Sequence, residues 1–335
     1  MAPRSGRAAP RGQAGAAACR GTRPAAGRCR PVTALLVAAV VATTALLLVA
    51  LGGVIAERAG VFSIGLEGYM LSGAFAAVAL SESGGRWLGL WGAILAGMAI
   101  ALIHAVVCIT MRANQIVVGV VLTILALGAT TFANQALFGL QSSELKVEGF
   151  DDWAIPGLHA IPYVGPALFD QTLFTYLAVL LLVVVVAFLR WTRRGLALRA
   201  VGDFPLAAEA RGIPVLRTRY AAVLVSGALA GLGGAALSIG QIDSFVSNMT
   251  GGRGYVALAA VIFARWQPLG AAAACALFGL ADAMQVWAGV IGVDLPYEVL
   301  AMAPYLVTLV ALALLPRRSG MPRALGVPYI REQRT

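Results

Sequence analysis

Residues 32–55 read VTALLVAAVVATTALLLVALGGVI, an apolar run without a charged side chain. At 1.5 Å of rise per helical residue it spans about 36 Å, and the hydrocarbon core of a bilayer is about 30 Å thick. Further apolar runs follow at 61–80, 87–110, 116–138, 171–191, 220–240, 255–264, 269–291 and 297–316. Most match one crossing. The 255–264 run is too short to cross alone, so it either extends at one end or forms a re-entrant half-helix. In lipid the backbone must satisfy its own hydrogen bonds, so such runs read as helices. The expected fold is an all-α polytopic transmembrane helix bundle of about eight to ten spans, with a broken or re-entrant segment.

Composition agrees. Of 335 residues, 60% are hydrophobic and 12% charged. A soluble domain carries about 25% charged residues, so this chain cannot cover itself with a water-facing surface. The net charge of +10 is nearly all arginine, with Lys146 the only lysine. Residues 1–31 hold seven arginines and no acid among Ala, Gly and Pro, and read as a disordered basic tail. The apolar run after them is too long for the core of a cleaved signal peptide. The arginine clusters border apolar runs and lack a basic, aromatic-studded folded domain, so they set topology and no nucleic-acid partner is expected.

These charges divide the chain into a tail at 1–31, a transmembrane domain at 32–316 and a cytoplasmic tail at 317–335. The 139–170 loop is acidic and is expected outside, whereas the arginine-rich loop 192–219 is expected in the cytoplasm. The stretch 241–296 then dips in and returns, with Arg265-Trp266-Gln267-Pro268 near the inner face. Counting crossings backwards puts the N-terminus outside, against the pull of its arginines. A break near 56–68, where charge and glycine interrupt the apolar flanks, is the candidate for resolving that conflict.

The chain has no G-x-x-x-x-G-K-[ST] loop, no H-E-x-x-H and no G-x-S-x-G. It has two histidines and no C-x-x-C pair. No catalytic residue, metal site or cofactor is expected, so any ATP hydrolysis that powers this chain resides on another subunit. Cys108 and Cys275 read as small core residues. Within the inner loop, Asp203 is placed to cap a short helix and Pro205 suits its first turn. Leu206 to Arg211 are helix formers, Gly212 suits the stop and Pro214 forbids continuation. This helix is either a solvated connector or a docking helix for a cytoplasmic partner. Leu206 and Ala210 share one face, with Glu209 and Arg211 at its polar rim.

Segment 52–75, GGVIAERAGVFSIGLEGYMLSGAF, resembles the G-G-x-x-x-E-R-x-G-x-x-N-I-G-L-E-G signature of simple-sugar and nucleoside ABC importer permeases. So do 111–115, MRANQ, the run ALRAVGDFPLAAEARGI, and 251–282 followed by Gln285. Leu325-Gly326-Val327-Pro328-Tyr329-Ile330 resembles that family's tail. The wider superfamily includes ribose-type and branched-chain amino acid permeases. Ser63 stands where the signature has Asn, and the basic tail is longer than the family pattern. The resemblance implies a multi-pass plasma-membrane permease subunit. It would work with a separate ABC ATPase subunit docking at 203–214, a second identical or related permease, and an extracytoplasmic solute-binding protein. The solute would be a nucleoside or simple sugar, moved by alternating access.

Glu67 and Asp282 lie inside apolar runs, where a charge costs about 2.5–3.5 kcal/mol at a helix centre. Each is either a structural partner at a helix break, with Arg58 and Arg265 the candidate partners of Glu67, or a solute contact. Ser63, Gly65, Asn114, Gln115, Gln241 and Gln285 join them as pathway or helix-break candidates. Thr123, Asn134, Gln135 and Asn248 add neutral polar groups, and Phe75 or Trp287 could stack. Such a set suits an uncharged solute. Gly227-x-x-x-Gly231 permits close helix contact, within one subunit or across a dimer seam. A short similarity between Gly65–Met70 and Gly279–Met284 hints at an internal repeat, and chance accounts for it equally well. The alternatives are an ion-coupled secondary transporter using Glu67 or Asp282, a branched-chain amino acid ABC permease, and a membrane-embedded enzyme. The last is disfavoured by the missing catalytic cluster.

Overall fold

The computed structural model describes residues 31–139, 147–151, 153–154, 168–291, 302 and 320–330. The tail 1–30, the run 297–316 except Met302, and parts of the 139–170 loop and the 317–335 tail lie outside the described residues, as does the side chain of Trp287. The described chain is almost wholly helical, as expected. Among the described residues, six helices are long and apolar enough to cross a membrane.

Helix α1 (Pro31–Arg58) is the opening apolar run. It ends in a turn at Ala59-Gly60, and residues 61–65 are not helical. The expected break at 56–68 is therefore present. Helix α2 (Leu66–Ala105) would be about 60 Å long if straight. It is not straight. Gly84 (φ −145°, ψ 16°) and Gly85 (φ 78°, ψ 170°) leave the helical region, and residues 82–85 form an exposed tip. A Cβ on Gly89 would strike the Ala77 carbonyl, although the two residues are twelve apart in sequence. The element is an antiparallel hairpin, and its arms are the runs expected at 61–80 and 87–110. A π-helical turn (Val106–Thr110) closes the second arm.

Next come α3 (Gln115–Phe138), β1 (Trp153–Ala154) and β2 (Asp170–Gln171), the last two an antiparallel pair. Then α4 (Leu173–Trp191), α5 (Arg193–Asp203), α6 (Pro205–Ala210) and α7 (Val215–Leu237) follow, with a second π-helical turn at Ser238–Ile242. Helix α8 (Arg253–Phe263) has 11 residues and is about 16 Å long, half a bilayer. Left-handed residues Asp243, Asn248, Gly251 and Gly252 precede it, and Arg265 and Trp266 turn the chain into α9 (Pro268–Ile291). The short run is thus a half-helix, and with the non-helical residues 243–252 before it the chain passes from the Asp243 end of the bundle to the Trp266 turn at the other.

Helix α7 is the centre of the core. Gly227 and Gly231 face Gly97 and Ala93 on the second arm of α2, and Gly234 faces Met70 on the first. A Cβ on Gly73 would lie 2.5 Å from the Gly231 Cα. The Gly-x-x-x-Gly spacing therefore brings backbones together within one chain. Gly60 sits at Arg219 and Gly233 at Ala45, so α1 and α7 run antiparallel. Val147 and Phe150 donate backbone N–H groups to Asp243 (2.9 Å) and Ile239 (3.3 Å). The described part of the acidic loop thus lies at one end of the bundle, and the arginine-rich loop at the other. Pro31 begins α1 at the acidic end.

Candidate functional site

At the arginine-rich end, the buried Glu57 organises the break after α1. Its carboxylate accepts from the Ser63 N–H (3.3 Å) and from Trp266 Nε1 (2.5 Å). Arg58 Nε donates to the Trp266 carbonyl (2.9 Å) and its Nη2 to the Arg265 carbonyl (3.3 Å). The acid and base of one dipeptide thereby clamp the turn between α8 and α9. The Phe62 N–H donates to Gln115 Oε1 (2.7 Å), and Asn114 Oδ1 caps α3 by accepting from Ile116 (3.0 Å) and Val117 (3.3 Å). A Cβ on Gly65 would lie 3.0 Å from His104 Nδ1. A cavity of about 510 Å³ opens here beside Phe62, Asn114, Gln115 and Leu325.

Halfway along the bundle, Glu67 meets the start of α8. Its carboxylate accepts from Thr250 Oγ1 (2.6 Å), Gly252 N–H (2.9 Å) and Gly254 N–H (2.6 Å). The expected ion pair with Arg58 or Arg265 is absent, because both are engaged at the far end of α8. A helix N-terminus carries partial positive charge and open N–H groups, so it serves Glu67 as a counter-charge. On the other side of the same terminus, Arg253 Nη2 pairs with Asp282 Oδ2 at 3.1 Å, each side chain about one-third exposed (34% and 32%). Both intramembrane acids flank one half-helix start. Gln285 lies on the same helix as Asp282, half-buried. Gln241 is elsewhere, donating to the Val41 carbonyl (3.1 Å) near the acidic end. Phe75 packs edge-on against Phe245, with centroids 5.3 Å apart.

The cytoplasmic-loop helix forms as α6, with Pro205 in its first turn. Asp203 does not cap it. Residues 193–203 are themselves helical, so Asp203 ends α5, and Phe204 takes the capping position without a side-chain bond. The stop is as expected, with Gly212 at φ 80° and its N–H on the Glu209 carbonyl (2.8 Å). Ala208 is buried among Val201, Val215 and Tyr329, while Leu206 is 49% exposed, with Ala207, Ala210 and Arg211 also outward. Glu209 is turned from the outer rim to accept from the Tyr329 hydroxyl.

Residues 320–330 complete this end. The Ala324 N–H donates to the Gly202 carbonyl (2.9 Å), Gly326 N–H to the Gly60 carbonyl (3.2 Å), and Arg219 Nη1 to the Val327 carbonyl (3.0 Å). Three motifs far apart in sequence, at Glu57–Gly60, Gly202–Ala210 and Ala324–Tyr329, meet at one place. Residue types alone do not reveal Glu57 or Trp266. The Glu-Arg dipeptide at the end of an apolar run was the available signal.

The chain matches, over residues 35–315, the family described as the permease component of the branched-chain amino acid transport system. It belongs to that ABC permease family. The permease is 39% identical over 303 residues to a guanosine ABC transporter permease of Bacillus subtilis, covering 86% of this chain and 94% of that one. It is 38% identical to a nucleoside ABC transporter permease of Lactococcus lactis, covering 87% and 95%. A putative glucose ABC transporter permease of Haloferax volcanii is 43% identical over 257 residues, covering 75% and 77%. The permease is accordingly a multi-pass plasma-membrane transport subunit with an ATPase partner.

Proposed function

We propose that the permease imports a nucleoside, with a simple sugar as the related alternative. The ATPase docks on the exposed face of α6, a second identical or related permease completes the pathway, and a solute-binding protein delivers to the acidic end. The observation that carries the solute class is the charge balance at the start of α8. Glu67 is met by backbone N–H groups and Thr250, and Asp282 by Arg253. A balanced polar site at membrane depth suits a neutral, hydrogen-bonding solute. The names of the nucleoside and glucose relatives point the same way.

The contacts supply a route for energy. A push on α6 reaches Tyr329 through Glu209, then Gly60 through the 320–330 segment. From there Glu57 and Arg58 hold the Trp266 turn, and α8 carries the displacement to Glu67. Transport would follow when the half-helix start opens alternately to each side.

The experiment is uptake of radiolabelled guanosine and ribose by cells with and without the gene. Loss of either on deletion supports the reading. A branched-chain amino acid is the second reading, favoured by the family description and by the paired opposite charges of Arg253 and Asp282, which a zwitterion could exchange into. If deletion reduces leucine uptake alone, the solute assignment is wrong and the importer class stands.

A further inference from the structure

A groove of about 710 Å³ lies between α4 and α7, apart from the solute site. Its walls include Val184 and Phe188 from α4 and Val225 and Leu229 from α7. Val184 (50%) and Val225 (44%) remain exposed, so the groove opens sideways at membrane depth. Its mouth, at the arginine-rich end, holds Arg194 and Arg217. Among the described residues the ion pairs are Arg86–Asp151 and Arg253–Asp282, so neither mouth arginine has a carboxylate within 4 Å.

We infer that this groove binds an anionic phospholipid, with its phosphate between Arg194 and Arg217 and one acyl chain along α4 and α7. The charge complementarity selects the occupant. A soluble anion leaves the apolar wall bare, and a zwitterionic lipid brings its own cation beside its phosphate, so it offsets the two arginines less well. A phospholipid with a net negative head satisfies both. Basic pockets between membrane helices bind anionic headgroups for this reason, and the volume is in the range of small-molecule sites. The inference depends on neither the solute nor the side on which loop 192–219 lies, because either leaflet can supply such a lipid.

The test is native mass spectrometry of the full-length permease in dodecyl maltoside. Palmitoyl-oleoyl phosphatidylglycerol, the corresponding phosphatidylcholine and chain-free glycerol 1-phosphate are titrated separately. Phosphatidylglycerol should be held most tightly and glycerol phosphate not at all. The double variant Arg194→Gln/Arg217→Gln should lose roughly thirty-fold in phosphatidylglycerol affinity and approach the phosphatidylcholine value. Val184→Trp, which fills the groove, should weaken both lipids. Unchanged phosphatidylglycerol binding in the double variant overturns the proposal, and so does glycerol phosphate binding as tightly as the lipid. Val184→Cys, in a background without the four natural cysteines, checks the competing occupant. A disulfide-linked permease pair in membranes would give the groove to a second copy instead.

Discussion

Gly202 has no room for a methyl group. A Cβ there would overlap the Arg58 carbonyl, which is backbone and cannot swing aside. Gly202→Ala should therefore separate α5 from the end of α1, at the roughly 1–3 kcal/mol typical of overpacking. Its detergent melting temperature should fall and uptake with it. Gly128→Ala is the control, since nothing lies within 4 Å of a Cβ at that helical position. It should be neutral or slightly stabilising, because alanine favours helix by about 1 kcal/mol. Equal melting temperatures for the two variants would contradict the packing described. At Glu67, the alanine variant removes the acceptor of three donors. Each buried donor left unsatisfied costs about 1–3 kcal/mol. Glu67→Ala should lower the melting temperature more than Glu67→Gln, whose amide keeps one acceptor oxygen. Asp282→Asn leaves Arg253 without its counter-charge, so uptake should drop, and adding Arg253→Gln should recover part of it. No recovery in the double variant would mean that the carboxylate acts by itself, for instance on the solute.

Helix α6 has six residues, too few to persist alone, since isolated helices shorter than about 12–15 residues are marginal. Ala208 and Tyr329 hold its inner face, which leaves Leu206, Ala207 and Ala210 for a partner. Ala210→Glu should leave insertion intact while reducing ATPase co-purification and uptake together. Retention of both would remove the docking role. Tyr329→Phe should act differently, keeping the ATPase bound but lowering uptake, because it deletes the bond to Glu209 on the inner face. Pro205 in the first turn and the stop at Gly212 showed this helix in the sequence, whereas the cap assigned to Asp203 belongs to the end of α5. That preceding helix was hidden, because Arg193, Arg194 and Arg199 read as loop charges. Its burial against Gly60 and Arg58 is tertiary and leaves no periodic trace. That 255–264 is too short to cross alone was legible from its length, which left extension and a half-helix both open. The helix-terminus counter-charge to Glu67 was not, because backbone N–H groups have no letter in a sequence, and a search for partners of an acid turns to arginines.

Over the whole molecule, the length of apolar runs sufficed for the fold class. Charge separated the two ends, and the described backbone puts 147–151 opposite 192–219. Which end faces the cytoplasm is a matter of charge bias. Single cysteines at Ser143 and Thr218, in a cysteine-free background, should differ towards an impermeant thiol reagent in intact cells. Position 143 should label and 218 should not, and the reverse pattern would invert the orientation. The antiparallel α1 and α7 carry this further, since Pro31 then lies at the same end as Val147 despite the arginines that precede it. Finally, the α2 hairpin and α7 touch along Gly73, Gly97, Gly227, Gly231 and Gly234 with main chain against main chain. Side chains can hop between rotamers and so lubricate a sliding contact, but bare peptide has no such freedom. A screw of one residue along α7, about 1.5 Å of slide with about 100° of rotation, would bring Leu232 to the place of Gly231 and drive its side chain into the Ala93 carbonyl. This three-armed unit is a strut, so the opening proposed for the half-helix start would pivot around it and fall to α8 and its two turns.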